Sequence, residues 1–206
     1  MGDHESHKKV FLKVFVINII VFLAEFAMAL YSGSLMMLSD SFHVLIHIIA
    51  SLVGFVSEFE FLGLAPGKIK TGTAFINIAL FFISAGIIAK EAVERLSDPP
   101  ELVLNSPYFM IAVLGLVANI YSAKIIDRVK HGECSQNMET LHACMIYDAA
   151  SSVTVIVGAL AIRSTEIYIG DFALYLDPVL SIALVLLMVR RGWKLLKNTL
   201  KPTLNV

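Results

Sequence analysis

Six apolar stretches, each roughly 18–25 residues long, follow one another along this chain of 206 residues. They fall near 11–31, 35–59, 72–96, 107–129, 139–162 and 175–198. A helix rises 1.5 Å per residue, so each is long enough to cross a bilayer core of about 30 Å. Within hydrocarbon every backbone N–H and C=O must be satisfied inside its own segment, which leaves helices as the fold for stretches of this kind. The expectation is an all-α membrane protein with six transmembrane helices. Composition agrees: 57% of residues are hydrophobic and 16% charged, against about 25% charged in a soluble domain. The net charge of −1 and the scattered basic residues give no footprint for nucleic acid.

The connections are short and polar. Tyr31-Ser32-Gly33-Ser34 is a tight turn that makes spans one and two a hairpin. Ala65-Pro66-Gly67-Lys68 predicts a turn within the second connection, 61–71. Ser97-Asp98-Pro99-Pro100-Glu101 stops the third helix, because proline disfavours helix in the residue before it. The remaining connections are 127–137 and 163–171. The expected domain layout is thus a polar tail over 1–10, a six-helix transmembrane domain over 11–198, and a short tail over 199–206 with no C-terminal soluble domain. The first span is preceded by Lys8, Lys9 and Lys13, but it is too long for a signal-peptide core and reads as retained.

Thirteen of the sixteen Lys and Arg residues lie at the N-terminus, at the second and fourth connections, or near the C-terminus. Only Lys90, Arg95 and Arg163 lie toward the opposite side. The positive-inside rule then puts both termini in the cytosol of a multi-pass protein, in the cell (inner) membrane.

Against this background, Asp40, His43 and His47 are out of place inside span two. At 100° per residue they share one stripe, with His43 and His47 one turn apart. Cys144 and Asp148 repeat the i, i+4 spacing in span five. With the topology above, His43 and His47 lie about 13 and 20 Å along span two, and Cys144 and Asp148 about 9 and 15 Å along span five. Both pairs fall near the midplane, within reach of one ion.

A charged group there costs about 2.5–3.5 kcal/mol on insertion scales, so it normally has a partner and a function. Two imidazoles, a thiolate and a carboxylate form a tetrahedral set for zinc-like ions, and their two negative charges cancel a divalent cation. Cys and His bind metal only when deprotonated, so metal release is expected to be coupled to proton uptake.

The other polar residues carry less weight. Asp40 reads as an ion-path residue or a support for the ligands, or as a polar contact to a neighbouring helix. Glu25, Asn77 and Asn119, in spans one, three and four, read as interhelical contacts or as lining of an ion path. His142 points about 200° away from Cys144 and is left out of the site. His131 and Cys134 sit in a polar loop. Ser151 and Ser152 are expected to serve close packing. Cys134 and Cys144 form no disulfide framework.

With these residues on the page, the chain resembles the membrane domain of the cation diffusion facilitators, a family of zinc-type divalent cation/proton antiporters. The matching stretches are Ser32-Gly33-Ser34-Leu35, Leu38-Ser39-Asp40-Ser41-Phe42-His43, and Glu91-Ala92-Val93-Glu94-Arg95-Leu96 with Pro99-Pro100. Asp148 with Ser151-Ser152-Val153, and Leu176-Asp177-Pro178, complete the set. The resemblance implies a transport site on His43, His47, Cys144 and Asp148. Members commonly carry Asp where His47 stands and His where Cys144 stands, which makes this a softer site that admits cadmium beside zinc. Members also usually end in a cytosolic metal-binding domain that helps them dimerise. About ten residues follow span six here, so a homodimer would be held by membrane helices, with Ala85 and Ala89 of span three as the candidate contact.

The function implied is export of a divalent transition metal, most often Zn²⁺, by proton antiport with alternating access. Zn²⁺ is then transported substrate and no organic cofactor is expected. A second reading is a non-transporting metal sensor or partial membrane subunit. An enzyme is not expected: no His-Glu-x-x-His helix occurs, and four protein ligands leave no open position for substrate.

Overall fold

The computed structural model describes residues 2–57, 66–129 and 136–200. They form six α-helices and no strand: α1 (Gly2–Ser32), α2 (Leu35–Ser57), α3 (Pro66–Arg95), α4 (Ser106–Val129), α5 (Gln136–Ile169) and α6 (Leu176–Leu200). A 3₁₀ turn, Gly170–Tyr175, joins the last two.

Most helix limits follow the apolar stretches, and the differences have local causes. α1 begins at Gly2, so residues 2–10 continue the helix instead of forming a separate tail. Of the turn expected at 65–68, Ala65 lies outside the described residues and Pro66, Gly67 and Lys68 are helical: α3 starts at Pro66, where the fixed φ and missing N–H of proline suit a first helical position. α5 runs seven residues past the expected end, to Ile169. It stops at Gly170, whose φ of +58° is the left-handed conformation that commonly ends helices.

Three described segments are long and apolar enough to cross a membrane: Leu12–Ser32, Ser106–Asp127 and Met145–Lys194. The last covers 50 residues and takes in α5, the 3₁₀ turn and α6, hence two helices. Leu35–Ile46 is a shorter apolar helical stretch. Outward faces carry large apolar side chains, among them Leu23, Leu30, Ile83, Leu114, Val157 and Leu186. So much exposed apolar surface suits hydrocarbon and not water.

α2 is the central helix, packed against α1, α3, α5 and α6. On one side Leu35, Ile46, Phe81, Ala85, Ile88, Val185 and Met188 join α2, α3 and α6. On the other, Met36 and Met37 pack with Met28, Tyr108, Ala159, Ile162 and Leu184. α5 comes close to both α2 and α6 at Gly158, where a Cβ would lie 2.7 Å from Met36 Sδ and from Leu180 Cδ1. The Ala85 and Ala89 stripe is covered by this packing within the chain, Ala85 being buried and Ala89 partly so. It is therefore not available to a second copy, which corrects the expected dimer contact.

The start of α2 is fixed by a polar knot. Asp177, at the start of α6, accepts the Leu35 N–H at 2.8 Å, the Met36 N–H at 3.1 Å and the Ser34 hydroxyl at 3.0 Å. A carboxylate there caps the orphan N–H groups and the positive end of the α2 dipole. Arg95, at the end of α3, lies 3.6 Å from Asp177, pairs with Glu91 at 2.9 Å, and donates to the Gly33 carbonyl. Tyr108 OH, from α4, is 3.1 Å from Ser34 Oγ. Gly33 has φ +71°, and a Cβ there would meet the Glu101 carbonyl at 3.4 Å. Three helices, α3, α4 and α6, thus set where α2 begins, and with it the depth of Asp40 and His43.

Candidate functional site

Below that knot α2 buries Ser39, Asp40, Ser41 and His43 in succession. The facing side of α5 buries Asp148, Ser151 and Ser152. Most buried polar side chains are hydrogen-bonded, and here they partner one another. Asp40 Oδ1 accepts the Ser151 hydroxyl, and Oδ2 accepts that of Ser152 at 2.9 Å. Both serine oxygens also lie 3.0 Å from the Asp148 carbonyl oxygen. The two serines thus tie Asp40 to the turn of α5 that carries Asp148, a bonding role beyond the close packing expected of them. Asn119 Nδ2, from α4, extends the chain to Ser152 Oγ at 3.4 Å.

One turn further along α2, His43 Nε2 stands 3.5 Å from Asp148 Oδ1. His43 is 8% exposed and Asp148 1%. The imidazole also meets the Phe81 ring edge-on, with centroids 5.5 Å apart. One residue from each expected half-site is therefore brought together across α2 and α5. His47 follows His43 by one turn of α2, and Cys144 precedes Asp148 by one turn of α5; their side chains, like that of Asn77 in α3, lie outside the described residues. Among the described residues no three His, Cys, Asp or Glu side chains converge as metal ligands.

Glu25 stands apart. It is 1% exposed, and neither carboxylate oxygen has a hydrogen-bond partner among the described residues. It borders an apolar hollow of about 270 Å³ between α1 and α4, lined by Ile17, Val21, Ile111 and Leu114. Gly115 makes the room: a Cβ there would fall 1.9 Å from Glu25 Oε1. Asn18, two turns earlier on α1, is fully buried with both amide atoms likewise unpartnered among the described residues.

Arg191 is the residue that the sequence reading counted only as a topological charge. Its Nη1 lies 2.9 Å from His43 Nε2 and 3.7 Å from Asp148 Oδ1. The guanidinium carbon is 5.2 Å from the centroid of Tyr147 and 5.7 Å from that of Phe81. A signal existed, since Arg191 continues the buried face of α6 marked by Ser181, Leu184 and Met188, whereas Arg190 points outward.

The sequence matches the cation efflux transmembrane domain over residues 12–202. It is 29% identical over 207 residues to the zinc transporter ZitB of Yersinia pseudotuberculosis, an alignment covering 96% of this chain and 63% of that protein. It is 31% identical over 192 residues to the zinc transporter ZitB of Escherichia coli K12, covering 88% of this chain and 58% of that protein. It is also 27% identical over 212 residues to the cadmium, cobalt and zinc/H(+)-K(+) antiporter of Bacillus subtilis, covering 95% and 63%. The chain therefore spans less than two thirds of the length of these relatives. With nearly its whole length matched and its helices faced with apolar side chains, the chain is an integral membrane protein that belongs to the cation efflux family, the cation diffusion facilitators.

Proposed function

We propose that the chain carries a divalent transition-metal ion of the zinc class out of the cytosol in exchange for protons. Six helices cross the cell membrane with both termini in the cytosol, and a midplane site alternates between the two sides. The ligands in this reading are His43 and His47 from α2 and Cys144 and Asp148 from α5, with Asp40 held by Ser151 and Ser152 beside them. Glu25, Asn77 and Asn119 lie along the ion path.

The observation that carries the reading is the 3.5 Å approach of His43 Nε2 to Asp148 Oδ1, two ligand-type atoms from different helices in a buried place. The names of relatives add support: two are zinc transporters, and one is an antiporter that exchanges cadmium, cobalt and zinc against H⁺ and K⁺. A thiolate from Cys144 would extend the range to cadmium. A homodimer, if formed through membrane helices, has to use outward faces such as Ile76, Ile83 and Ile87 of α3, since Ala85 and Ala89 are covered.

The test is metal-driven proton movement in proteoliposomes carrying a pH dye, with zinc and cadmium compared. Wild-type protein is expected to move protons against metal, and His43→Ala and Asp148→Ala to abolish the signal. Full flux in both variants removes the site. Equilibrium metal binding without flux in folded wild-type protein turns the reading to a sensor or partial subunit.

A further inference from the structure

Arg191 occupies the position on His43 that a metal ion would need. A guanidinium has donors only, so in the 2.9 Å contact His43 Nε2 is the acceptor, and the ring is neutral with its proton on Nδ1. Nε2 then carries the one lone pair available for ligation, and Arg191 is using it. A zinc-class ion would sit about 2.0–2.1 Å from that nitrogen on the same axis. Guanidinium and ion exclude each other there.

The guanidinium is also seated. It lies over the Tyr147 and Phe81 rings, both within cation–π range, and only 14% of the side chain is exposed. Gly192 beside it lets α6 close on α3, since a Cβ there would meet Phe81 Cβ at 3.3 Å. At 3.7 Å from Asp148 Oδ1 it supplies the carboxylate with a positive neighbour.

We propose that Arg191 is a tethered competitor of the transported ion, a built-in cation that holds His43 and Asp148 until a divalent ion displaces it and that returns to them as the ion leaves. This rests on the metal-transport reading of the site. Two consequences follow. The apparent affinity for metal is lowered by the fraction of molecules in which the guanidinium is away from His43. Unloading is assisted, because the departing ion is replaced by a cation already attached to the protein, so Asp148 keeps a positive neighbour.

The experiment is zinc titration calorimetry on the whole purified chain, with zinc transport kinetics on the same proteins in liposomes. Arg191→Gln is expected to tighten binding by about ten-fold or more, as for a competitor that holds the site nine tenths of the time. Its KM for transport falls and its maximal rate falls with it. Arg191→Lys, which keeps the charge but loses the planar fork and its stacking, is expected between the two. Tyr147→Leu alters an exposed side chain and removes half of the seat, and is expected to shift affinity in the same direction as Arg191→Gln. A purely structural role for Arg191 predicts weaker binding, not tighter. Unchanged or weaker zinc binding in both Arg191→Gln and Tyr147→Leu, with binding still lost in Asp148→Ala, overturns the competitor and leaves the site standing. Zinc binding unaffected by Asp148→Ala overturns both.

Discussion

At the scale of single residues, Glu25 and Asp40 show how differently two buried carboxylates are treated in one protein. Asp40 is embraced by two serine hydroxyls, whereas Glu25 is sealed between α1 and α4 with no partner among the described residues. A buried polar group left unpaired costs roughly 1–3 kcal/mol, so Glu25 is a burden on folding kept for another reason. Glu25→Met is therefore expected to raise the thermal unfolding midpoint in detergent while lowering metal flux. A midpoint that falls, or flux equal to wild type, would remove Glu25 from the ion path. The helical period singles out the Asp40–His43 stripe, and estimated depth sets it level with Asp148; ionisable residues inside apolar runs carry a cost that calls for a partner, which for Asp40 left a plain interhelical contact equally open. The same period applied to α6 also separates Arg191 from Arg190. That reading was missed because arginines near a span end were weighed only as topology signals, which count charges and ignore the face they occupy. The bonds from Ser151 and Ser152 to Asp40 had no sequence signal beyond adjacency to Asp148, since small hydroxyl residues are equally at home where helices pack closely.

At the scale of elements, the placement of α2 depends on a residue more than a hundred positions away in the chain. Asp177 accepts three hydrogen bonds at the N-terminus of α2 and lies beside Arg95, all with 1% of its own surface exposed. Asp177→Ala leaves a half-buried guanidinium and three donors behind, and breaking a buried pair of this kind costs about 3–5 kcal/mol. The expected result is a large drop in the unfolding midpoint, together with weaker zinc binding at the proposed site, because His43 lies about 12 Å further along the same helix at 1.5 Å per residue and its depth follows the cap. Retention of wild-type stability would show that the cap is dispensable. The helices themselves were largely legible: the Ser32-Gly33-Ser34 turn and Pro99-Pro100 mark ends through backbone chemistry that needs no tertiary context. The end of α5 was read too early because Arg163, Ser164, Thr165 and Glu166 are polar. Hydropathy reports where a helix leaves the apolar layer, not where it unwinds; the backbone signal for the latter was Gly170.

At the scale of the whole molecule, six helices, short turns and one-sided basic residues combine into a topology that can be tested without any metal. Two antiparallel pairs constrain it strongly. α1 and α2 are joined by a two-residue turn, and α5 and α6 by a short 3₁₀ segment, so the ends at Gly33 and at Gly170 must each lie on a single face of the membrane. Arg95 and the Ser32–Ser34 turn are held together with Asp177, which brings the end of α3 and the starts of α2 and α6 to that same face. In the proposed orientation that face is the outer one, since Lys194 and Lys197 lie at the far end of α6, with Lys13 and Lys124 at matching ends of α1 and α4. A cysteine placed at Ile167, which is 82% exposed next to the α5–α6 connection, is expected to react with an impermeant maleimide in intact cells. A cysteine at Lys197 is expected to react only after permeabilisation, with background from Cys134 and Cys144 measured in the parent protein. The reverse pattern inverts the orientation and, with it, the direction in which the site would move metal. Labelling of both positions from one side instead means that α6 does not cross, which would dismantle the six-span arrangement while leaving the knot around Asp177 intact.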